Sequence, residues 1–184
     1  MADDTGPDFD QQTLAPTPDV LTGMLHAVFE HWQDARGKRW ARTWSDFALE
    51  LLPPRVIPWC VAVNVERDPL DFVYRFWGTE RARLQGQELT GKRISTFRPE
   101  TMAKVLFAEC AQIVETRQPF LYRKRHTTPT GLSPGFESLR LPLSNGGSQV
   151  GVVLSVARSE SLTSDNYRYF GTEPPLPLTD GPAP

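Results

Sequence analysis

Histidine and cysteine, which carry much of the nucleophilic and metal chemistry of proteins, are scarce in this chain, with three histidines and two cysteines in 184 residues. His26 and His31 lie five positions apart in a predicted helix, a poor spacing for sharing a metal ion. Cys60 and Cys110 form no metal or redox motif, so we expect both to be reduced, buried thiols. The sequence therefore predicts neither a metal site nor a catalytic residue.

Long apolar runs and an excess of one charge are also missing. No run approaches the roughly 20 residues of a membrane-spanning helix. The formal net charge of -2 gives no reason to expect nucleic acid or a membrane surface as a partner. The first ten residues, MADDTGPDFD, lack the basic and apolar regions of a signal peptide. We therefore expect a cytoplasmic protein that binds neither nucleic acid nor membranes.

Two amphipathic helices are predicted from the spacing of apolar residues. The first, at 18–37, begins at a capping signal and carries a stripe formed by Leu21, Leu25, Val28 and Trp32. The second, at 99–117, lies between two prolines, and its apolar face carries Met102, Leu106, Cys110 and Ile113. A short helix at 45–52 is ended by Pro53 and Pro54.

Five segments with alternating apolar or β-branched residues predict strands, at 59–66, 72–77, 120–126, 136–143 and 149–157. The turn RDPLD joins the first two in a hairpin, and Asn145-Gly146-Gly147 joins the last two. The long helix separates the first pair from the other three. The five strands can close into one antiparallel sheet if the helical insert covers one face. The predicted fold class is therefore α+β.

The two ends of the chain show no apolar periodicity. Residues 1–17 are polar and acidic, and we expect them to be disordered. Residues 160–184 are rich in proline and predict an extended tail. The domain organisation expected is a flanking helix at 18–37 followed by one domain at 38–159.

Several segments in this order resemble the PAS domains, and most closely a short, stand-alone type found in alphaproteobacteria. HWQDARGKRW resembles the end of a leader helix, VAVNVERDPLDFVYRFWGTE the first two strands, LQGQELTGKRI the short helical crossover, and LRLPLSNGGSQVGVVLSV the last hairpin. The resemblance covers about residues 24–158. It implies a five-stranded antiparallel sheet with a helical crossover on one face and an N-terminal flanking helix. Gly78, Gly86 and Gly91 are then turn points of the crossover, and their spacing matches no phosphate-binding loop.

The resemblance also implies cofactors whose signatures can be checked. Flavin-binding photoreceptor members carry a reactive cysteine in the crossover, and residues 79–98 contain none. Haem-binding members commonly use a histidine on the long helix, and residues 99–118 contain none. The sequence therefore argues against haem and covalent flavin, and leaves open an unknown small ligand.

A ligand cavity between the sheet and the long helix is one interpretation of the apolar positions, and a fully packed core is the other. The residues expected to line such a cavity are Tyr74, Phe76, Met102, Leu106, Cys110, Tyr122, Leu139 and Leu141. Related sequences tend to be apolar where this chain has Arg81 and Gln85, and the sequence leaves open whether these side chains face inward.

The remaining charged residues predict solvated surfaces. Glu109 and Glu115 on the long helix have no apolar setting in sequence that would pair them for acid/base chemistry. In the basic segment 122–126, strand alternation places Arg123 and Arg125 on the face opposite Tyr122 and Lys124. An exposed sheet face is the interpretation favoured there, and a docking surface for an acidic partner is the alternative.

The function expected is that of a non-catalytic sensory or regulatory module acting in trans. It would bind itself or a signalling protein such as a kinase or cyclase, under the control of a small ligand. The stripe on the flanking helix predicts a homodimer interface, unless that helix folds back on its own sheet. Two alternatives stay open: a small enzyme with a cone-shaped α+β pocket, of the isomerase or dehydratase type, and a structural adaptor with a solid core.

Overall fold

One antiparallel sheet forms the centre of the fold in the computed structural model, which describes residues 8–127, 131, 135–158 and 162–174. Its strands are β1 (Asp8–Leu14), β2 (Cys60–Glu66), β3 (Asp71–Trp77), β4 (Phe120–Thr127), β5 (Gly135–Ser144) and β6 (Val150–Ala157). They lie in the order β1-β4-β5-β6-β2-β3, and each neighbouring pair is antiparallel. The predicted α+β class is confirmed, and the sheet has six strands where five were expected.

Five α-helices surround the sheet in the described part of the chain. They are α1 (Gly23–Arg36), α2 (Trp44–Phe47), α3 (Thr79–Gln85), α4 (Glu100–Thr116) and α5 (Ser164–Phe170). The crossover between β3 and β4 contains α3, a 3-10 turn at Ile94–Thr96, and α4. Both helices pack on one face of the sheet, as the segment order predicted. None of the described helices is long and apolar enough to cross a bilayer.

Strand β1 is the sixth strand, and it corrects the expectation that residues 1–17 are disordered. Residues 8–14 pair with β4 along their whole length, with Gln12 opposite Arg123. The strand has polar side chains, of which Asp10, Gln12 and Thr13 are exposed. Its stability comes from backbone hydrogen bonds to the edge of β4, which leave no pattern in side-chain hydropathy. Residues 1–7 of that segment lie outside the described residues.

Helix α5 likewise corrects the extended tail predicted at 160–184. A capping box starts the helix, because the side chains of Thr163 and Asn166 each bond the other residue's backbone N–H. Tyr167 is buried and packs with Leu84 and Phe136. Two aromatic side chains and a cap are enough to dock two turns of helix, although the segment is too short to show a clear period. Residues 175–184 lie outside the described residues.

Helix α1 packs on the face of the sheet opposite α4. The four stripe residues are at most 4% exposed, and they pack with the inward-facing leucines of β5 and with β6. The Trp32 indole N–H also donates to the carbonyl oxygen of Pro142, at 2.9 Å. The prediction that Leu21, Leu25, Val28 and Trp32 form a two-fold interface is therefore wrong in this structure, because the chain's own sheet covers them.

Gly78 allows the chain to leave β3 and enter the crossover. A Cβ atom at this position would lie 2.2 Å from the carbonyl oxygen of Pro58, which is too close for any side chain. The backbone N–H of Gly78 donates to the carbonyl oxygen of Cys60 at 2.8 Å. Gly78 is thus required by a close approach of two backbone segments, which is a structural role.

The packing of α1 predicts a difference between two leucine substitutions. Leu25 is 1% exposed, whereas Leu51 is 71% exposed. Leu25→Ala should lower the free energy of unfolding by about 2–5 kcal/mol, because it leaves a cavity between α1 and the sheet. Leu51→Ala should change it by less than about 0.5 kcal/mol. Urea denaturation of both variants measures this, and equal small effects would mean that α1 does not pack on the sheet.

Candidate functional site

A cluster of buried charged residues lies between α4 and the sheet. Glu109 on α4 is 2% exposed, and both of its carboxylate oxygens face cations from neighbouring strands. Lys124 Nζ on β4 lies 2.6 Å from Glu109 Oε1. Arg140 on β5 donates to Glu109 Oε2 from Nε at 2.9 Å and from Nη2 at 2.5 Å. The hydroxyl of Tyr122 donates to Gln112 Oε1 at 2.8 Å beside the cluster.

The sequence places these three charges inside through two different periods. Glu109 lies three positions after Leu106 and four before Ile113, so it belongs to the apolar face of α4. On the strands, alternation turns Lys124 to the same side as Tyr122, and Arg140 to the side opposite Leu139 and Leu141. The solvated position predicted for Glu109 is wrong. Lys124, in the basic segment whose exposure was favoured, is 2% exposed.

The outward face of the basic segment behaves as predicted. Arg123 and Arg125 point away from the core, and the Arg123 side chain lies 2.6 Å from Glu137. Glu137 also pairs with Arg158 at 2.6 Å. The outer face of β4 and β5 therefore carries an ordinary surface ion-pair network.

The cluster contains two cations and one carboxylate, and this imbalance determines the pKa of each group. Burial alone would raise the pKa of Glu109, but Lys124 and Arg140 together lower it below its usual value. Burial lowers the pKa of Lys124 to about 8, opposed by Glu109 and assisted by the charge of Arg140. The carboxylate is thus firmly ionised, and the lysine is the group of the pair that can lose its charge near neutral pH.

Arg81 is a buried cation that has no ion-pair partner among the described residues. It lies on α3, is 3% exposed, and its Nε and Nη1 atoms make no hydrogen bond to any described residue. Its guanidinium carbon lies 5.2 Å from the centre of the Phe136 ring, a cation–π contact. Burial, together with the charge of Arg140, lowers the pKa of Arg81 to about 10. Gln85, one turn later, is 4% exposed, so both departures from the related sequences face inward.

Two small cavities adjoin the Arg81 side chain. The first, of about 20 Å³, is lined on its polar side by Tyr74, Trp77, Arg81, Arg140 and Ser155. The second, of about 10 Å³, lies beneath α5 and is lined by Gln85, Lys124 and Asn166 among others. Arg81 and Leu106 line both cavities, so these two side chains form the partition between them.

Several polar atoms facing the first cavity lack a partner among the described residues. They are the Trp77 indole nitrogen, the Arg81 Nε and Nη1 atoms, and the hydroxyls of Tyr74 and Ser155. The indole and the guanidinium can only donate hydrogen bonds. The cavity therefore has donors in excess and needs acceptors.

The predicted pocket residues divide between the two faces of the sheet. Tyr74, Leu106 and Cys110 line the first cavity, Met102 lines the second, and Tyr122 lies in the charged cluster. Phe76, Leu139 and Leu141 instead pack against the α1 side of the sheet, which corrects their assignment. The hydrophobicity of the two leucines predicted a pocket position for them, but strand alternation turns Arg140, which lies between them, towards α4.

A β-bulge explains why Tyr74 and Phe76 separate. The register between β2 and β3 shifts after Ala62, which pairs with Phe76, while Val63 pairs with Tyr74. The extra residue reverses the alternation. Trp77 therefore joins Tyr74 on the α4 side, with their ring centres 4.6 Å apart. No residue pattern in β3 announced this bulge.

The two thiols and His31 have structural surroundings. Burial raises the pKa of Cys110 to about 11 and that of Cys60 to about 12, so both thiols stay protonated at neutral pH. His31 Nε2 lies 2.7 Å from the carbonyl oxygen of Phe47. Within the described ranges, no group of three or more His, Cys, Asp or Glu side chains could hold a metal ion.

The charged cluster predicts a large cost for removing its carboxylate. Glu109→Gln leaves Lys124 and Arg140 buried without a counter-charge, so the free energy of unfolding should fall by about 3–5 kcal/mol. Glu115→Gln, on the exposed side of the same helix, is the matched control and should change it by less than about 0.5 kcal/mol. Chemical denaturation at pH 7 gives both values, and a cost for Glu109→Gln no larger than the control's would refute the ion-pair geometry.

Lys124 predicts a pH dependence. Its pKa is about 8 in the folded state, against about 10.4 in an unfolded chain. Between these values the unfolded state binds more protons, so this group makes stability rise as pH increases from about 8 towards 10. The urea midpoint of the wild type should therefore rise relative to that of Lys124→Met between pH 7.5 and 9.5. Comparing the wild type with Lys124→Met cancels the contribution of the buried thiols, which changes stability with pH in the opposite direction. Lys104→Met, which replaces an exposed lysine, should follow the wild type.

Comparisons with known proteins give distant likenesses. No family model and no curated protein matches this chain. It is similar to the structure of an RNA-binding light-oxygen-voltage receptor, with a TM-score of 0.44 and 13% identity over 89% of this chain and 41% of that one. It is also similar to a PAS domain of a protein from Colwellia psychrerythraea, with a TM-score of 0.38 and 15% identity over 54% of this chain and 85% of that one. The chain thus spans less than half of the receptor, and its function is inferred below from its own residues.

Proposed function

We propose that this protein is a non-catalytic sensory or regulatory module, controlled by a small ligand that binds between α4 and the sheet. It acts by associating with itself or with a signalling protein such as a kinase or cyclase. The observation that carries the proposal is the set of unpartnered polar atoms around Arg81, which face enclosed space in the middle of the domain.

Energetics support a binding role for these atoms. A buried donor without an acceptor costs about 1–3 kcal/mol, and a charged one costs more. An apolar side chain at position 81 would fill the same space without that cost. The unpartnered donors of Arg81, Trp77 and Tyr74 therefore favour a bound acceptor, and a ligand that accepts their hydrogen bonds would stabilise the folded protein.

The geometry of the charged cluster argues against the enzyme alternative. An isomerase or dehydratase of this shape needs an acid/base residue that can exchange a proton inside the cavity. Glu109 is the buried carboxylate nearest to it, and its two oxygens face Lys124 and Arg140 in close ion pairs. A carboxylate held in this way is a weak base and stays unprotonated.

The proposal includes no haem and no covalent flavin. Helix α4, which would supply a haem ligand, carries no histidine, and residues 79–98 carry no cysteine. Cys110 does face the first cavity, but its thiol is protonated and lies 3.8 Å from Arg140 Nη1. A small organic molecule held by hydrogen bonds fits these walls better than either cofactor.

Self-association, if it transmits the signal, must use a surface other than the α1 stripe. Large exposed apolar side chains are few in the described residues: Leu51 at 71% and Leu70 at 37% exposure. The homodimer stays a prediction without an assigned interface. A signalling partner would recognise a change in the outer surfaces of α3, α4 or α5, because these helices enclose the cavities.

Native mass spectrometry of the protein purified from its own host tests the proposal. We expect a stoichiometric added mass that is lost on denaturation, with no absorption in the Soret or flavin range. Light scattering before and after ligand removal should then show a change in assembly with itself or with a co-purified partner. A mass equal to that of the bare chain, together with an unchanged assembly state, would favour the solid-core adaptor.

A further inference from the structure

The cavity walls indicate which chemistry the ligand carries. We propose that the site around Arg81 binds a small monocarboxylate, with its carboxylate on the Arg81 guanidinium and an apolar body against Leu106 and the walls around it. The inference rests on the proposed function above, because it names the class of ligand for the same site.

The charge balance of the core selects an anion. The described core holds three buried cationic side chains, Arg81, Lys124 and Arg140, and one buried carboxylate, Glu109. Glu109 is already shared by Lys124 and Arg140 through contacts of 2.5–2.6 Å, so Arg81 has no counter-ion among the described residues. A buried charge without a partner is among the most costly groups in a protein. An incoming anion supplies the missing charge without disturbing the existing pairs.

The geometry of the free donors selects a carboxylate among anions. Nε and Nη1 are both unpartnered on Arg81, and the Trp77 indole nitrogen and the Tyr74 hydroxyl line the same cavity. Nε and Nη1 point from different edges of the guanidinium, so each donates to a separate acceptor. The two oxygens of a carboxylate can accept from one of them and from the Trp77 indole or the Tyr74 hydroxyl at once. A spherical halide accepts them with poorer geometry, and it would leave the surrounding hydrocarbon surface unused.

The remaining walls select an apolar body of small size. Around the polar side, the first cavity is closed by Val61, Val63, Ile94, Phe97, Leu106 and Val153. Its volume of about 20 Å³ holds one water molecule, so a larger guest requires a side chain to move. Leu106 is the side chain to move, because it separates this cavity from the second one beneath Phe170.

The proposal is tested on the full chain with carboxylates and their neutral isosteres. Acetate, propionate and benzoate should each raise the melting temperature and shift the Trp77 indole N–H resonance in a saturable way. Acetamide and benzamide, which match them in shape but lack the charge, should produce neither effect. Chloride and inorganic phosphate at equal ionic strength serve as anion controls.

Three variants distinguish an effect of the Arg81 guanidinium from a general effect of positive charge. Arg81→Met should raise the melting temperature of the free protein, since it removes an unpaired buried charge, and should abolish the response to carboxylates. Arg83 lies on the same helix, and its side chain is 53% exposed. Arg83→Met should therefore respond like the wild type. Arg81→Lys keeps the charge but loses the planar, fixed N–H donors, so we expect about tenfold to hundredfold weaker binding.

Each outcome decides the matter. Equal responses of wild type and Arg81→Met, responses to amides as strong as to carboxylates, a response to chloride or phosphate alone, or no response to any carboxylate would each overturn the carboxylate site. If Arg81→Met does not fold, the comparison of Arg81→Lys with Arg83→Met decides in its place. A ligand found by native mass spectrometry that is neutral would also overturn it, while leaving the regulatory function standing.

Discussion

The carboxylate of Glu109, held between Lys124 and Arg140, determines how the long helix sits on the sheet. The two cations come from adjacent strands, β4 and β5, and each one contacts a different oxygen of the same group. A shift of α4 by one turn would leave three buried charges without partners, at a cost several times that of a lost apolar contact. The ion pairs therefore fix the register of α4, while the apolar residues around them supply most of the burial.

The fixed position of α4 also determines the surroundings of Arg81. Because Glu109 is committed to Lys124 and Arg140, it is not available to neutralise a third cation. Arg81 enters from α3, over the Phe136 ring, and remains the excess positive charge of the core. The ligand proposed above would supply the acceptor that this side chain lacks among the described residues. This contrast between a satisfied triad and an unsatisfied neighbour distinguishes the site from an ordinary polar core.

The sequence predicted the fold more accurately than it predicted the site. Alternation and helical spacing located five strands and the long helix to within a residue or so, because each buries one regular face. They failed where backbone pairing or a local irregularity decides the structure: β1 has polar side chains, and the bulge in β3 reverses the faces of Tyr74 and Phe76. The hydrophobicity of Leu139 and Leu141 also favoured a pocket position for them, whereas strand alternation assigns the pocket face to Arg140. The signals in the sequence that pointed to the charged cluster were the position of Glu109 within the apolar face of α4 and the strand alternation that places Lys124 and Arg140 on the α4 side.

The pairing of β1 with β4 has a consequence for the behaviour of the protein outside its folded state. Strand β4 would be the outer edge of the sheet if β1 were missing, and its backbone would then be open to pairing with other chains. Strand β1 lies more than 100 residues earlier in sequence, so this edge is closed only by a contact that forms across most of the chain. During synthesis β1 cannot form its sheet hydrogen bonds until β4 has been made. Once paired, β1 is itself the outer strand, and its exposed polar side chains, Asp10, Gln12 and Thr13, make that edge a poor template for an apolar strand of another molecule.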